Sequence, residues 1–233
     1  WMEKQTSRNA ARIITISPTS ASEITKYLKV PGERIDVVPL AGAAPAGVDR
    51  SRAGEDGPLI LAMGNRRPHK NWGALIRATA LLPEAERAQI VITGGRGEDP
   101  LAPLVEEYGV GDWIDLRGWV DEDEVARLYS VATALAIPSL AEGFSLPTIE
   151  AMAAGIPTLL SDIEVHRYVG GDAAHYFDPT DDADLARAIS DVVGRPELRR
   201  QLVEDGYARA ELFTWDRTAR ETLTVFDRVL GRS

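Results

Sequence analysis

Short apolar runs recur along this chain, each followed by a glycine-rich or polar turn and then by a stretch with helical spacing. From residue 58 onward the runs lie at 59–63, 89–93, 113–116, 134–138, 158–161 and 174–177. Each is brief and rich in Leu or β-branched residues, as expected of parallel strands buried on both faces. Amphipathic stretches at 71–82, 100–108, 121–131, 147–154, 182–193 and 196–211 alternate with them. Helix starts carry side-chain caps, Asp121 before EDEVARL and Asp181 or Asp182 before ADLARAI. Gly155 ends the 147–154 helix and Pro157 prevents its continuation. The alternation predicts an α/β domain, a doubly wound parallel sheet of six strands over 58–211.

The preceding residues read differently. Residues 1–11 have helical spacing, 12–17 and 34–40 read as strands, and 21–29 as a helix with Ser20 as its cap. Residues 41–57, rich in Ala, Gly and Pro without periodicity, read as an interdomain linker. Two strands and their helices are too little to bury a core. Residues 1–40 are therefore expected to be the terminal segment of an N-terminal domain whose remainder is missing. Residues 212–233 hold a last helix, 215–230, with Leu223, Phe226 and Leu230 on one face. The open strand edges and this apolar stripe predict a cover, whether a missing N-terminal half, a partner chain or a second copy.

Composition narrows the partners. The formal net charge is −10 over 233 residues, which argues against a general nucleic-acid or anionic-membrane surface. No apolar run approaches the roughly 20 residues of a membrane span, so membrane contact is left to a peripheral role of the missing half. There is no cysteine and hence no disulfide framework. The expected location is cytoplasmic.

The candidate chemistry concentrates in EGFSLPTIEAMAAGIPTLLSD, residues 142–162. Glu142 and Glu150 lie where a strand hands over to a helix, at the carboxyl edge of an open sheet, where α/β proteins bind ligands. Pro147 suits the first helical position. The unpaired N–H groups of that turn favour an anion such as a diphosphate. Gly143 leaves the backbone open to a ligand, and Ser145 and Thr148 add hydroxyls. Glu150, about one turn into the helix, can accept from a pair of ribose hydroxyls. Each glutamate taken alone reads as a solvated loop charge or a helix-dipole charge; the complete strand, loop, helix and stop argue for a site.

A second cluster follows the first strand of the domain. GNRRPHKN, residues 64–71, places Arg66, Arg67, His69 and Lys70 in an otherwise acidic protein. A basic loop at a strand's carboxyl end suits a leaving diphosphate without a metal. The bland reading is a solvated basic turn. GGRG at 94–97 lacks the spacing of a dinucleotide fingerprint, and the acidic runs at 121–124 and 181–184 read as helix caps. His69, His166 and His175 show no metal-ligand spacing. Neither a metal nor another cofactor is expected.

The 142–153 segment resembles the signature of retaining glycosyltransferase family 4, which has the GT-B architecture. Its Glu, Gly, Phe, small residue, Leu, Pro, two residues, Glu, Ala, Met, Ala pattern is present, with Ser145 where glycine is commonest. Residues 64–71, 90–95, 117–132, 170–179 and 213–223 resemble family segments in the family's order. The resemblance implies a Rossmann-like donor domain and transfer of a sugar from a nucleoside diphosphate, with retention at the anomeric carbon. It implies Lys70 on the diphosphate, Glu150 on the ribose and Glu142 beside the sugar, the last two residues flanking Gly143, Phe144, Ser145, Leu146 and Thr148. Gly64, Asn65 and Arg66 belong to the first phosphate loop, Gly118 to Val120 to the strip whose backbone meets the nucleobase, and the 94–97 turn lies near the donor in a supporting role. The family often has arginine where this chain has Asn65, so Arg66, Arg67 or an arginine from elsewhere is left to supply the second cation. Asn71 after Lys70 resembles mannosyl- and rhamnosyl-type members. The other readings are a nucleotide-sugar binding or regulatory module without activity of its own, and a phosphorylase or epimerase on the same fold.

Overall fold

The computed structural model describes residues 6–7 and 9–232. Two strands, β1 (Ile13–Thr15) and β2 (Ile35–Val37), pair with each other in parallel. Six more form a second sheet: β3 (Leu59–Met63), β4 (Gln89–Thr93), β5 (Ile114–Leu116), β6 (Ala134–Ile137), β7 (Thr158–Ser161) and β8 (His175–Phe177). Its order is β5-β4-β3-β6-β7-β8 and every pairing is parallel. This is the expected doubly wound fold. The order reverses between β3 and β6, so the loops leaving those strands diverge and open a crevice.

The period-two geometry of a strand sorts the core into two layers. Ile60 and Ala62 of β3 face a cluster with Trp72, Leu75, Ile76, Leu185 and Ile189. Leu61 between them faces the opposite cluster, with Leu128, Leu135, Ile149 and Met152. Strands β6 and β7 are buried at every position, which explains their unbroken apolar runs.

The helices follow the expected spans closely, at Trp72–Leu81, Ala102–Glu107, Glu122–Val131, Leu146–Ala153, Asp182–Gly194, Pro196–Ala210 and Trp215–Leu230. Asp121 and Asp181 are the caps, accepting from Glu124 N and from Ala183 and Asp184 N. Gly155 has φ 71°, and a side chain there would meet the Tyr207 hydroxyl at 2.2 Å. A helix over Glu164–Gly170 was not expected from the sequence.

The first forty residues depart further from expectation. The helix expected over 1–11 lies largely outside the described residues. The strands are shorter than 12–17 and 34–40. The next helix begins at Pro18 rather than 21, because Ser17 and not Ser20 is its cap: the Ser17 hydroxyl accepts from Ser20 N at 3.1 Å. It continues as a π turn over Ile24–Leu28, which Lys29 ends in the left-handed conformation. This small unit is tied to the C-terminal helix. Asp36 pairs with Arg12 and with Arg228, and Thr218 donates to the Pro39 carbonyl. Along that helix Leu223, Phe226 and Leu230 are more than half exposed.

Candidate functional site

The crevice at the switch point is built by backbone conformations that side chains rarely adopt. After β3 the chain makes a 3-10 turn, Pro68–Lys70, and Asn71 ends it with φ 56°. Asn71 tolerates that region. Its amide donates to the carbonyls of Pro138 and Pro179, at 3.1 and 3.0 Å, fixing the loop to the ends of β6 and β8. Asn71 thus has a backbone task, which accounts for it without reference to any donor sugar. Trp72 donates its indole N–H to Asn65 O at 2.8 Å. After β6, Ser145 takes φ 81° and leads into the Leu146–Ala153 helix, so Pro147 occupies the second helical position rather than the first. Ser145 therefore stands where a glycine would be unstrained.

These loops bring together Lys70 and Glu142. Lys70 Nζ donates to Glu142 Oε1 at 2.6 Å, and the Ser139 hydroxyl donates to the same oxygen at 2.7 Å. Both charged side chains are largely buried, 17% and 12% exposed. Lys70 is thus no free loop lysine: removing it strands a mostly buried carboxylate.

Glu150 is half-buried on the helix. Burial pushes its carboxyl above the usual range, and a hydrogen bond from Tyr129 offsets part of that rise. The Tyr129 hydroxyl is itself pushed up by burial and by the Glu150 charge.

Other expected site residues divide. Gly64, Asn65, Arg66 and Val120 line a cleft of about 1210 Å³ with Arg67, Arg96, Trp119 and Pro147. The Gly94 N–H donates to the Gly118 carbonyl at the floor of the same region. The Arg66 side chain, however, is turned inward. It pairs with Asp99 at 2.8 Å and donates to the carbonyls of Gly64, Ile92, Thr93 and Arg117. Burial works against the Asp99 charge, but Arg66 and the Leu101 N–H hold its pKa below the usual range. Arg66 is therefore a brace between three loops, not a free cation for a diphosphate. Arg67 and Arg96 form no ion pair among the described residues. Phe144 is also corrected. Its ring is buried edge-on against Tyr168 and Phe213, so its side chain serves packing. The hydroxyls of Ser145 and Thr148 bond each other at 2.8 Å, and both residues are buried. Leu146 packs against the core. Gly143 faces the small N-terminal unit, where the Ser20 hydroxyl donates to its carbonyl at 3.4 Å.

The family model for group 1 glycosyl transferases matches residues 48–209. The chain belongs to that family. It is 31% identical to the MMP alpha-(1->4)-mannosyltransferase of Mycolicibacterium hassiacum over 99% of its own length and 57% of that protein's. It is likewise 31% identical to the O-antigen chain mannosyltransferase B of Escherichia coli, over 97% of its length and 64% of the relative's. The chain therefore spans about three-fifths of these relatives. Among solved structures, the sucrose-phosphate synthase of Thermosynechococcus elongatus superposes with a TM-score of 0.84 at 26% identity, covering 99% of this chain and 61% of that one.

Within this group 1 fold, two cleft side chains stand out beyond the expected backbone strip and supporting turn. Trp119 is 82% exposed on the cleft wall, and Arg96 stands at the tip of the loop after β4. The signal for Trp119 was a bulky aromatic in a polar stretch where no apolar period calls for one. The GGRG turn proves to be the floor. Gly94 has φ 87°, and a Cβ there would lie 2.5 Å from Gly64 O. Gly94→Ala is expected to push the 64–71 loop outward and to destabilise the domain by roughly 1–3 kcal/mol. Urea denaturation checks the stability. Loss of nucleotide affinity in the folded fraction checks the displacement.

Among the described residues no helix is long and apolar enough to cross a membrane. Nor do three or more His, Asp or Glu among them form a metal-holding group.

Proposed function

We propose that this chain is the donor-binding part of a retaining glycosyltransferase that takes a mannosyl group from a nucleoside diphosphate sugar. The observation carrying this reading is the meeting of Lys70 and Glu142, 72 residues apart in sequence, at the sheet's switch point, with Glu150 on the helix that opens beside them. Lys70 balances the charge that grows on a departing diphosphate, the helix turn at Pro147 adds its dipole, and the chemistry needs no metal. Glu150 accepts from the ribose hydroxyls. Glu142 stands beside the sugar, orienting its hydroxyls and favouring positive character at the anomeric carbon. The cleft beyond Gly118 and Val120 takes the base, with the exposed Trp119 ring as a stacking surface. The mannosyl assignment rests on the two mannosyltransferase relatives, and the acceptor lies outside what these residues describe.

The N-terminal unit fits this reading as the edge of an acceptor half, because Ser20 touches Gly143 in the site. A thermal-shift panel of UDP, GDP, ADP and TDP with their sugars, run with and without a chelator, tests donor binding. A mannose-bearing donor should raise the midpoint most, and the chelator should change nothing. In the intact transferase, NMR of the anomeric signal should show an α product from an α-linked donor. A β product would overturn retention, and no shift with any donor would overturn the site.

A further inference from the structure

His166 is fully buried, and its ring lies at the end of a hydrogen-bonded chain that begins at Glu142. The Ser139 hydroxyl donates to Glu142 Oε1 at 2.7 Å. The carbonyl of the same Ser139 accepts from the Ser161 hydroxyl at 2.5 Å. That single hydroxyl proton is then spent, so the 2.9 Å contact between Ser161 Oγ and His166 Nδ1 requires Nδ1 to be the donor. The 3.0 Å contact from Nδ1 to the Ser161 carbonyl requires the same. The network thus assigns the neutral tautomer with its proton on Nδ1. Nε2 is buried and has no partner, a tolerable state for a bare lone pair and a costly one for a charged N–H. Burial holds the imidazole pKa below its usual value, while the nearby Glu142 and Lys70 charges act on it in opposite senses.

We propose that His166 is a positioning residue for Glu142, acting through Ser161 and Ser139. Among the described residues Glu142 is held by two groups, Lys70 and Ser139. A diphosphate that draws Lys70 away leaves Ser139 as the carboxylate's remaining anchor, and the Ser161–His166 pair fixes the Ser139 carbonyl. The strap keeps Glu142 in place when its cation leaves. Its functional consequence rests on the donor-site reading above; its geometry does not.

Three variants separate the outcomes. An asparagine amide can place an N–H near the Nδ1 position, a glutamine amide reaches only the Nε2 position, and leucine does neither. In ligand-free protein, ¹⁵N spectra of the His166 ring should show the neutral Nδ1–H form, and Ser161→Ala should move its signals. Calorimetry then compares GDP with GDP-mannose, and UDP with UDP-glucose. His166→Leu and His166→Gln should lower the sugar-nucleotide affinity relative to the bare nucleotide by about threefold to tenfold, the worth of one hydrogen bond. His166→Asn should restore it. In a Glu142→Gln background, His166→Leu should change nothing further. Should leucine prevent folding, Ser161→Ala cuts the same link with a smaller change. An Nε2–H or imidazolium signature overturns the proposal, as does equal loss for nucleotide and sugar nucleotide in folded variants. If wild type shows no preference for sugar nucleotides, the role of Glu142 fails. The strap is then judged by the ring spectra alone, and ring signals unmoved by Ser161→Ala reject it.

Discussion

Lys70→Ala should weaken nucleoside diphosphate binding tenfold or more, since a charge-assisted contact contributes about 1.5–3 kcal/mol. It should also lower stability, because the variant leaves Glu142 mostly buried without its cation. The pairing of the two residues gives a second, opposite expectation. Glu142→Gln removes the anion that competes for Lys70 and that would face the incoming phosphates. The bare nucleotide should therefore bind the glutamine variant several-fold tighter, on the order of 1 kcal/mol, while the sugar nucleotide loses its advantage. The double variant Lys70→Ala/Glu142→Gln should recover much of the stability lost in Lys70→Ala, because no unpaired charge remains. Calorimetry and urea denaturation of the three variants read both effects. Equal nucleotide affinity in wild type and Lys70→Ala would remove the lysine from the site.

The largest divergence between stability and binding is expected at Glu150. Its folded-state pKa is raised, mainly by burial, above the ordinary 4.5. The native state therefore holds its proton to higher pH than the unfolded chain does. Stability from this group is present below 4.5 and is lost as pH rises through the folded-state value. Glu150→Gln removes the cost of a half-buried carboxylate. The ligand-free variant should match or exceed wild-type stability at neutral pH, and the difference between them should shrink as the solution is acidified. The same variant should bind both nucleotide and sugar nucleotide about tenfold less well, because a charged acceptor for the ribose hydroxyls is gone. A Glu150→Gln protein that is less stable than wild type at neutral pH, yet binds nucleotide equally well, would make the residue structural.

Much of this was legible in the chain. The inner strands β3, β6 and β7 announced themselves because a parallel sheet covered on both faces demands unbroken apolar runs, and Asp121 and Asp181 marked their helices by cap chemistry alone. The Glu164–Gly170 helix was missed because Ile163 offers no side-chain cap and the seven-residue span carries too little period to stand out. The chain names candidate residues but not their arrangement. Nothing in GNRRPHKN distinguishes the inward-turned Arg66 from the exposed Arg67; the difference lies in Asp99 and the carbonyls of β4, contributed by residues 26 and more positions away. The Lys70–Glu142 pair likewise depends on two loops meeting at the switch point. Phe144 carried the family pattern, but its ring fills a pocket formed with Phe213, from the far end of the chain.

The strand edges and the helix stripe also have a physical reading. Strands β1 and β2 have only each other as partners among the described residues, and Leu223, Phe226 and Leu230 stay open to solvent. Such surfaces favour association.

The central claim is that a nucleoside diphosphate sugar is bound where Lys70, Glu142 and Glu150 converge. Isothermal titration of GDP-mannose and UDP-glucose into wild type, Lys70→Ala and Glu150→Gln tests it most directly. The account predicts saturable binding of one donor by the wild type and at least tenfold weaker binding by each variant, with both variants folded. Undiminished affinity in both variants would contradict it.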